Sequence, residues 1–363
     1  MAPLLSYQPL KALATIAFLA LSPPYLVVLS VLHLLGVRRI HPSYSLRTAI
    51  SVDALWLFYQ YATLIHLEPS YASAAKFKDR YVLVQPAAPD LYQDVLQSEH
   101  VKPASVPAIW CPSAPPHDLA GHDGTVVIHF QGGAFVTALD PDSTAPAVSR
   151  AYRTKLGAFT LFAQYRLSRG EDTRFPAALQ DAVTCYRHVL DAGVPPQKVV
   201  VAGDSAGGTV AVGLLRYVES TGALPPPRGV MLWSPWVDVS APAVKASRRK
   251  ENRRSDFLPH GLMAWGLAAV QPARRTLEVE RYLRPLSHPF ATSTPIFVNA
   301  GTAELLHDED SRFAARMEDV PGNRVCYVET EGAPHDLVLA GMAMGFERQA
   351  LEAIGRAADF FGL

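Results

Sequence analysis

The chain has 363 residues, with 33 basic and 33 acidic side chains and no net charge, which removes the electrostatic footing that a nucleic-acid binder needs. Hydrophobic residues make up 49% and charged residues only 18%, below the ~25% of ordinary domains, so a disordered chain is excluded and some lipid-facing surface is expected. Cys111, Cys185 and Cys326 are odd in number and far apart, and none of Asn252, Asn299 and Asn323 opens a glycosylation sequon; both point to a reducing, cytosol-facing compartment.

The first predicted element is apolar. Ala12 to Val37 carries no acidic or basic residue other than His33. As a helix it would run about 39 Å at ~1.5 Å per residue, enough for a bilayer core of ~30 Å. Pro23-Pro24 interrupts it, which predicts one kinked span or a shallow hairpin. Lys11 precedes it, and Arg38, Arg39 and Arg47 follow, so the positive-inside rule places the rest of the chain on the cytoplasmic side of an endoplasmic-reticulum-type membrane. Ser51–Leu67 reads as a further apolar helix, with Trp56 and Tyr59 as candidate pocket residues. The proline-rich stretches 85–89 and 103–116 read as irregular connections. His117-Asp118 and His122-Asp123 have no third ligand nearby, so they read as solvated loop and no metal is expected.

From about residue 124 short apolar runs alternate with helical segments. Thr125–Phe130, Phe159–Tyr165, Val199–Gly203, Val230–Trp233, Ile296–Ala300 and Val325–Val328 are predicted strands; Ala177–Leu190 and Ala206–Ser220 are predicted helices. Such alternation implies a mostly parallel sheet covered on both faces. Residues 240–290 break the rhythm with a basic cluster and a helix around Leu262–Val270 that carries Trp265, a third pocket candidate. Neither a P-loop nor a dinucleotide fingerprint is present, so no nucleotide cofactor is expected.

The most informative stretch is Val199 to Gly208, where a β-rich run enters Gly203-Asp204-Ser205-Ala206-Gly207 and leaves as a small-residue helix. A serine on so sharp a strand-to-helix turn lifts its hydroxyl clear of the sheet, and the Ala206 amide opens the helix, where it favours negative charge. Such a serine needs a base, and the base needs a carboxylate.

These residues resemble the nucleophile elbow of α/β-hydrolases of the hormone-sensitive-lipase type. Gln131-Gly132-Gly133-Ala134-Phe135 resembles that family's His-Gly-Gly-Gly oxyanion segment, with Gln131 for the histidine and Ala134 for the third glycine. Tyr165-Arg166-Leu167, Pro176-Ala177-Ala178 with Asp181, and Ser234-Pro235-Trp236 match further family elements. The resemblance covers residues 120–363; the N-terminal 70 residues have only a general similarity to membrane-anchored fungal and animal deacetylases. It implies Ser205 as nucleophile, His335 as base, and the amides of Gly132, Gly133 and Ala206 as oxyanion donors. Aligning the trailing Asp308-Glu309 with the family pattern puts Glu304 at the acid, with Asp308 as the rival. The order Ser205, Glu304, His335 is the one this fold requires.

The expected architecture is thus an α/β-hydrolase fold: an N-terminal membrane anchor over 1–40, cap helices and linker over 41–120, and a catalytic domain over 121–363 with the insertion 240–290 contributing to the cap. The expected activity is cleavage of carboxylic esters of an apolar substrate, without cofactor. A biosynthetic hydrolase or cyclising acyl-transfer enzyme acting on a lipophilic secondary metabolite is the rival within this chemistry. A non-catalytic ligand-binding protein on the same scaffold is the rival of another class; such receptors typically lack the histidine.

Overall fold

Valine-rich runs build the centre of the molecule. In the computed structural model, which describes residues 3–116, 119, 121, 124–272 and 274–363, eight strands form one sheet in the order β1-β2-β4-β3-β5-β6-β7-β8. The His117-Asp118 and His122-Asp123 pairs lie outside the described residues. The chain begins with α1 (Leu10–Leu34) and α2 (Leu46–Ile65), then β1 (Tyr81–Val84), β2 (Val106–Cys111) and β3 (Val126–Phe130). Alternation follows: α3 (Pro141–Leu156), β4 (Phe159–Ala163), α4 (Ala177–Asp191), β5 (Val199–Asp204), α5 (Ser205–Thr221) and β6 (Gly229–Trp233). After β6 come α6 (His260–Val270), β7 (Ile296–Gly301), α7 (His307–Glu318), β8 (Val325–Thr330) and α8 (Glu347–Phe361).

The sheet is parallel from β4 through β3 to β8 and antiparallel where β1 and β2 extend it. Its period of two sorts side chains to two faces. Val127, Val200 and Met231 pack with α3 and α8 on one face; Ile128, Val201 and Leu232 pack with α4 and α5 on the other. Every position of β3, β5, β6 and β7 is buried, as a sheet covered on both sides demands.

Two sequence expectations are corrected. Residues 103–116 contain a strand, β2, paired on both sides, although Pro107 cannot donate to the ladder; its carbonyl accepts from Gln164 N at 2.9 Å. And α1 runs unbroken through Pro23 and Pro24. Proline already holds a helix-compatible φ, so two missing donors weaken the helix without ending it.

Candidate active site

The C-terminal ends of the parallel strands carry the chemistry-bearing side chains to one place. β5 passes into α5 with no intervening residue, and Ser205 sits at φ +50°, a left-handed conformation rare for a side chain with a Cβ. The turn is possible because Gly207 lies against the end of β3: a Cβ there would fall 1.9 Å from Phe130 O. Ser205 is buried but lines a pocket with Gly132, Gly133, Ala134 and His335.

The loop after β3 supplies backbone donors, in a register one residue later than expected. The Gly132 amide donates to Asp204 Oδ2 at 2.8 Å, so it is engaged and does not face an incoming oxyanion. Beyond it, Gly133, Ala134 and Phe135 all have positive φ, which turns successive amides to one side. Among the described residues, the Gly133 and Ala134 amides donate to no protein acceptor, and both residues line the pocket. Ala206, fully buried, adds the amide at the start of α5. Gln131 braces this loop: Nε2 donates to Leu139 O at 3.1 Å, and its own carbonyl accepts from Tyr165 Oη at 2.7 Å.

His129 is a strand residue, fully buried, with Nε2 2.9 Å from Asp204 Oδ1. Burial pushes His129 down to about 4 and Asp204 up to about 7. The Asp336 carboxyl hydrogen-bonds Asp204 and is held well above the ordinary carboxylate range by burial and then by the Asp204 charge. Asp204 thus ties one strand and two loops to the serine turn: β3 through His129, the donor loop and the loop after β8.

Glu304 and His335 occupy the loops after β7 and β8. Glu304 is fully buried; Oε2 accepts from Ser234 Oγ and from Gly301 N at 3.2 Å. His335 Nδ1 lies 3.9 Å from Glu304 Oε2, and among the described residues neither ring nitrogen has a hydrogen-bond partner. The imidazole and carboxylate are therefore adjacent without a closed hydrogen bond, as in many unliganded active sites that tighten on binding substrate. Burial pushes His335 down to about 3. Asp308, the rival acid, is exposed on the first turn of α7, with its carboxylate 3.8 Å from His307 Nδ1, away from His335.

Ser234, already marked by its motif, and two residues not singled out from sequence, Asp256 and Asp310, surround Glu304 and His335. Ser234, at φ +46°, donates to Glu304 and accepts from Asp336 N at 2.9 Å, so one hydroxyl spans both loops. Asp256 accepts from Leu305 N at 2.5 Å and from His335 N at 3.4 Å, doing the same from below. Asp310, fully buried, lies beside Glu304; burial raises both carboxyls, and the Glu304 charge raises Asp310 further. Ala134, which replaces the third glycine, supplies a free amide. For Asp256 and Asp310 the only sequence signal is a carboxylate within a few residues of a motif.

The pocket is narrow, about 30 Å³ on a scale where one water needs about 10–15 Å³. Tyr59 lines it, together with Leu55, Trp236, Leu262, Met263 and Leu306. Trp56 and Trp265 do not line it. Leu55 and Tyr59 share one face of α2 at a spacing of four, and Trp56 is turned about 100° from that face. Trp265 stacks instead on His66 at 4.0 Å. No group of three or more metal-ligating side chains occurs among the described residues.

A family model for the alpha/beta hydrolase fold matches residues 127–339. Among curated relatives, an acetyl-hydrolase of Streptomyces hygroscopicus is 32% identical over 200 residues, covering 52% of this chain and 60% of that protein. An esterase of Acinetobacter venetianus is 24% identical over 196 residues, covering 53% and 61%. The chain thus matches about three fifths of the length of these two relatives. An esterase from the bacterial hormone-sensitive lipase family shares the fold with a TM-score of 0.63 at 19% identity, covering 87% of this chain and 98% of that one. The matched segment contains the donor loop, the nucleophile turn, Glu304 and His335, and the chain belongs to the alpha/beta hydrolase fold family.

Proposed function

We propose that the protein hydrolyses short-acyl carboxylic esters by an acyl-enzyme route. Ser205 Oγ attacks the acyl carbon while His335 takes its proton. The negative charge that develops on the carbonyl oxygen meets the amides of Gly133, Ala134 and Ala206. Glu304 holds the imidazole tautomer and balances the imidazolium. His335 then protonates the departing alcohol. Water, deprotonated by the same imidazole, releases the acid and restores Ser205. Low pocket polarity makes these charges interact more strongly than in water.

The observation that carries this reading is Ser205 at φ +50° on a strand-to-helix turn, in one pocket with His335, whose ring abuts the buried Glu304. A short acyl group is favoured because the whole cavity around Ser205 holds only about 30 Å³. An apolar substrate is favoured because Leu55, Tyr59, Phe257 and Leu262 also line the cavity. The exposed apolar helix α1 supports a membrane location. The test is a panel of p-nitrophenyl esters graded by acyl length. kcat/KM is expected to peak at acetate to butyrate and to fall at octanoate; a maximum at long acyl chains contradicts the short-acyl assignment. In the same assay Ser205→Ala should lose roughly 10⁶ in kcat and Glu304→Gln about 10⁴. Asp308→Asn should retain activity within about threefold; loss of activity there instead of at Glu304 moves the acid.

A further inference from the structure

The N-terminal helix is built inside out. Along α1 the partly covered positions recur at helical spacing: Ala14, Thr15, Phe18, Ser22, Leu26, Leu29, Ser30 and His33. This stripe holds the polar side chains that follow Lys11, and it faces α2: Tyr61 Oη donates to Thr15 Oγ1 at 2.9 Å, Phe18 stacks on Tyr61 at 4.1 Å, and His33 Nε2 meets Asp53 Oδ2 at 2.8 Å. The opposite face is exposed and, apart from the Tyr25 hydroxyl, apolar, including Leu13, Ile16, Leu19, Val27, Val31 and Leu34. Water favours the reverse arrangement. Charges stand only at the ends, Lys11 in the first turn of the helix and Arg38 and Arg39 after it. The occupant this face fits is therefore the acyl layer of a lipid leaflet and not a protein surface, which would offer some polar contact along its length.

The attachment of α1 fixes its direction. α2 is docked on the catalytic body from end to end. Arg47 donates to Ala343 O at 2.6 Å and Thr48 to Met344 O at 3.0 Å at its start. Tyr59 stacks on Phe257 at 5.9 Å, and Arg169 donates to the carbonyls of His66 and Leu67 just past its end. α1 follows α2 from Thr15 to His33. A helix so bound cannot stand upright in a bilayer unless the charged body descends with it through ~30 Å of hydrocarbon.

Resting on the esterase reading above, we infer that α1 lies in the plane of one leaflet as a monotopic platform, and that the enzyme draws esters dissolved in that leaflet. α2 separates the two media by one helix: α1 packs on one side, and Leu55 and Tyr59 line the catalytic pocket on the other. Both chain termini then lie on the same side of the membrane. The sequence left a kinked span and a shallow hairpin both open, because length and hydropathy do not report what a helix is packed against.

Protease protection of sealed vesicles carrying the full chain, with hydrophilic tags before Met1 and after Leu363, reads the topology. Both tags should be lost together, or both protected together; one lost and one protected shows a span and overturns the proposal. Chain released by low-salt washing alone overturns membrane association itself. A second variant, Ile16→Glu with Leu19→Glu and Val27→Glu, reads substrate delivery. It should become soluble and keep kcat/KM on p-nitrophenyl acetate within about twofold, yet lose at least tenfold on an acetate ester of a long-chain alcohol presented in vesicles. Undiminished turnover of the vesicle ester overturns delivery from the leaflet. Wild type inert on p-nitrophenyl acetate would instead sink the esterase reading, leaving the topology result standing.

Discussion

Two neighbouring buried carboxyls are expected to hold one proton between them, because both cannot ionise at little cost, and Glu304 and Asp310 are such a pair. Both are fully buried and raised by burial, and Glu304 Oε1 and both Asp310 oxygens have no hydrogen-bond partner among the described residues. A protonated Asp310 that donates to Glu304 leaves the acid with one negative charge for His335. Replacing Asp310 by asparagine keeps a donor and the charge, so Asp310→Asn should keep kcat within about fivefold. Asp310→Leu strands a charged oxygen and should lower kcat by one to two orders of magnitude with KM little changed. The sign of the pH effect follows from linkage. Asp310 is raised well above 3.8 in the folded protein, so the unfolded chain ionises first, and stability falls as pH rises from about 4 towards that raised value. The wild-type melting temperature should therefore decline over this range relative to Asp310→Asn, and parallel curves contradict a shared proton.

At the scale of elements, α6 sets the donor loop. A Cβ at Gly266 would fall 2.2 Å from Ala134 O, so the helix backbone rests directly on the residue whose amide is free. Gly266→Ala must push the loop or the helix away. The expected loss is about 10²-fold in kcat, the order of one lost oxyanion donor, with the far-ultraviolet circular dichroism unchanged. Retained activity would mean that Ala134 does not donate. Elements also show where sequence stops informing. The nucleophile turn and the histidine loop are legible because a few adjacent residues define them. The free amides are not, since Gly132 is removed by a side chain 72 positions later. The pocket face of α2 and α6 is not legible either, because the segment 54–59 and α6 are apolar on every side and nothing marks Leu55 or Met263 over Trp56 or Trp265. β2 was hidden by Pro107, which sequence patterning reads as a break.

Across the whole molecule, one sheet brings together side chains from the ends of β5, β7 and β8, and the same sheet carries a helical layer whose outer surface is apolar. The fold class was readable from alternation alone, since a parallel sheet buried on both faces needs continuous apolar strands and covering helices. The orientation of α1 was not, because it depends on polar contacts made by Tyr61 and Asp53 far along the chain. Everything functional nevertheless converges on the reactivity of one serine among the many that the chain contains. Mass spectrometry of the protein after treatment with a fluorophosphonate measures this directly. A single adduct on the peptide carrying Ser205, absent from Ser205→Ala and strongly slowed in His335→Ala, is the expected result. An unmodified Ser205, or an adduct that persists in Ser205→Ala, would contradict it.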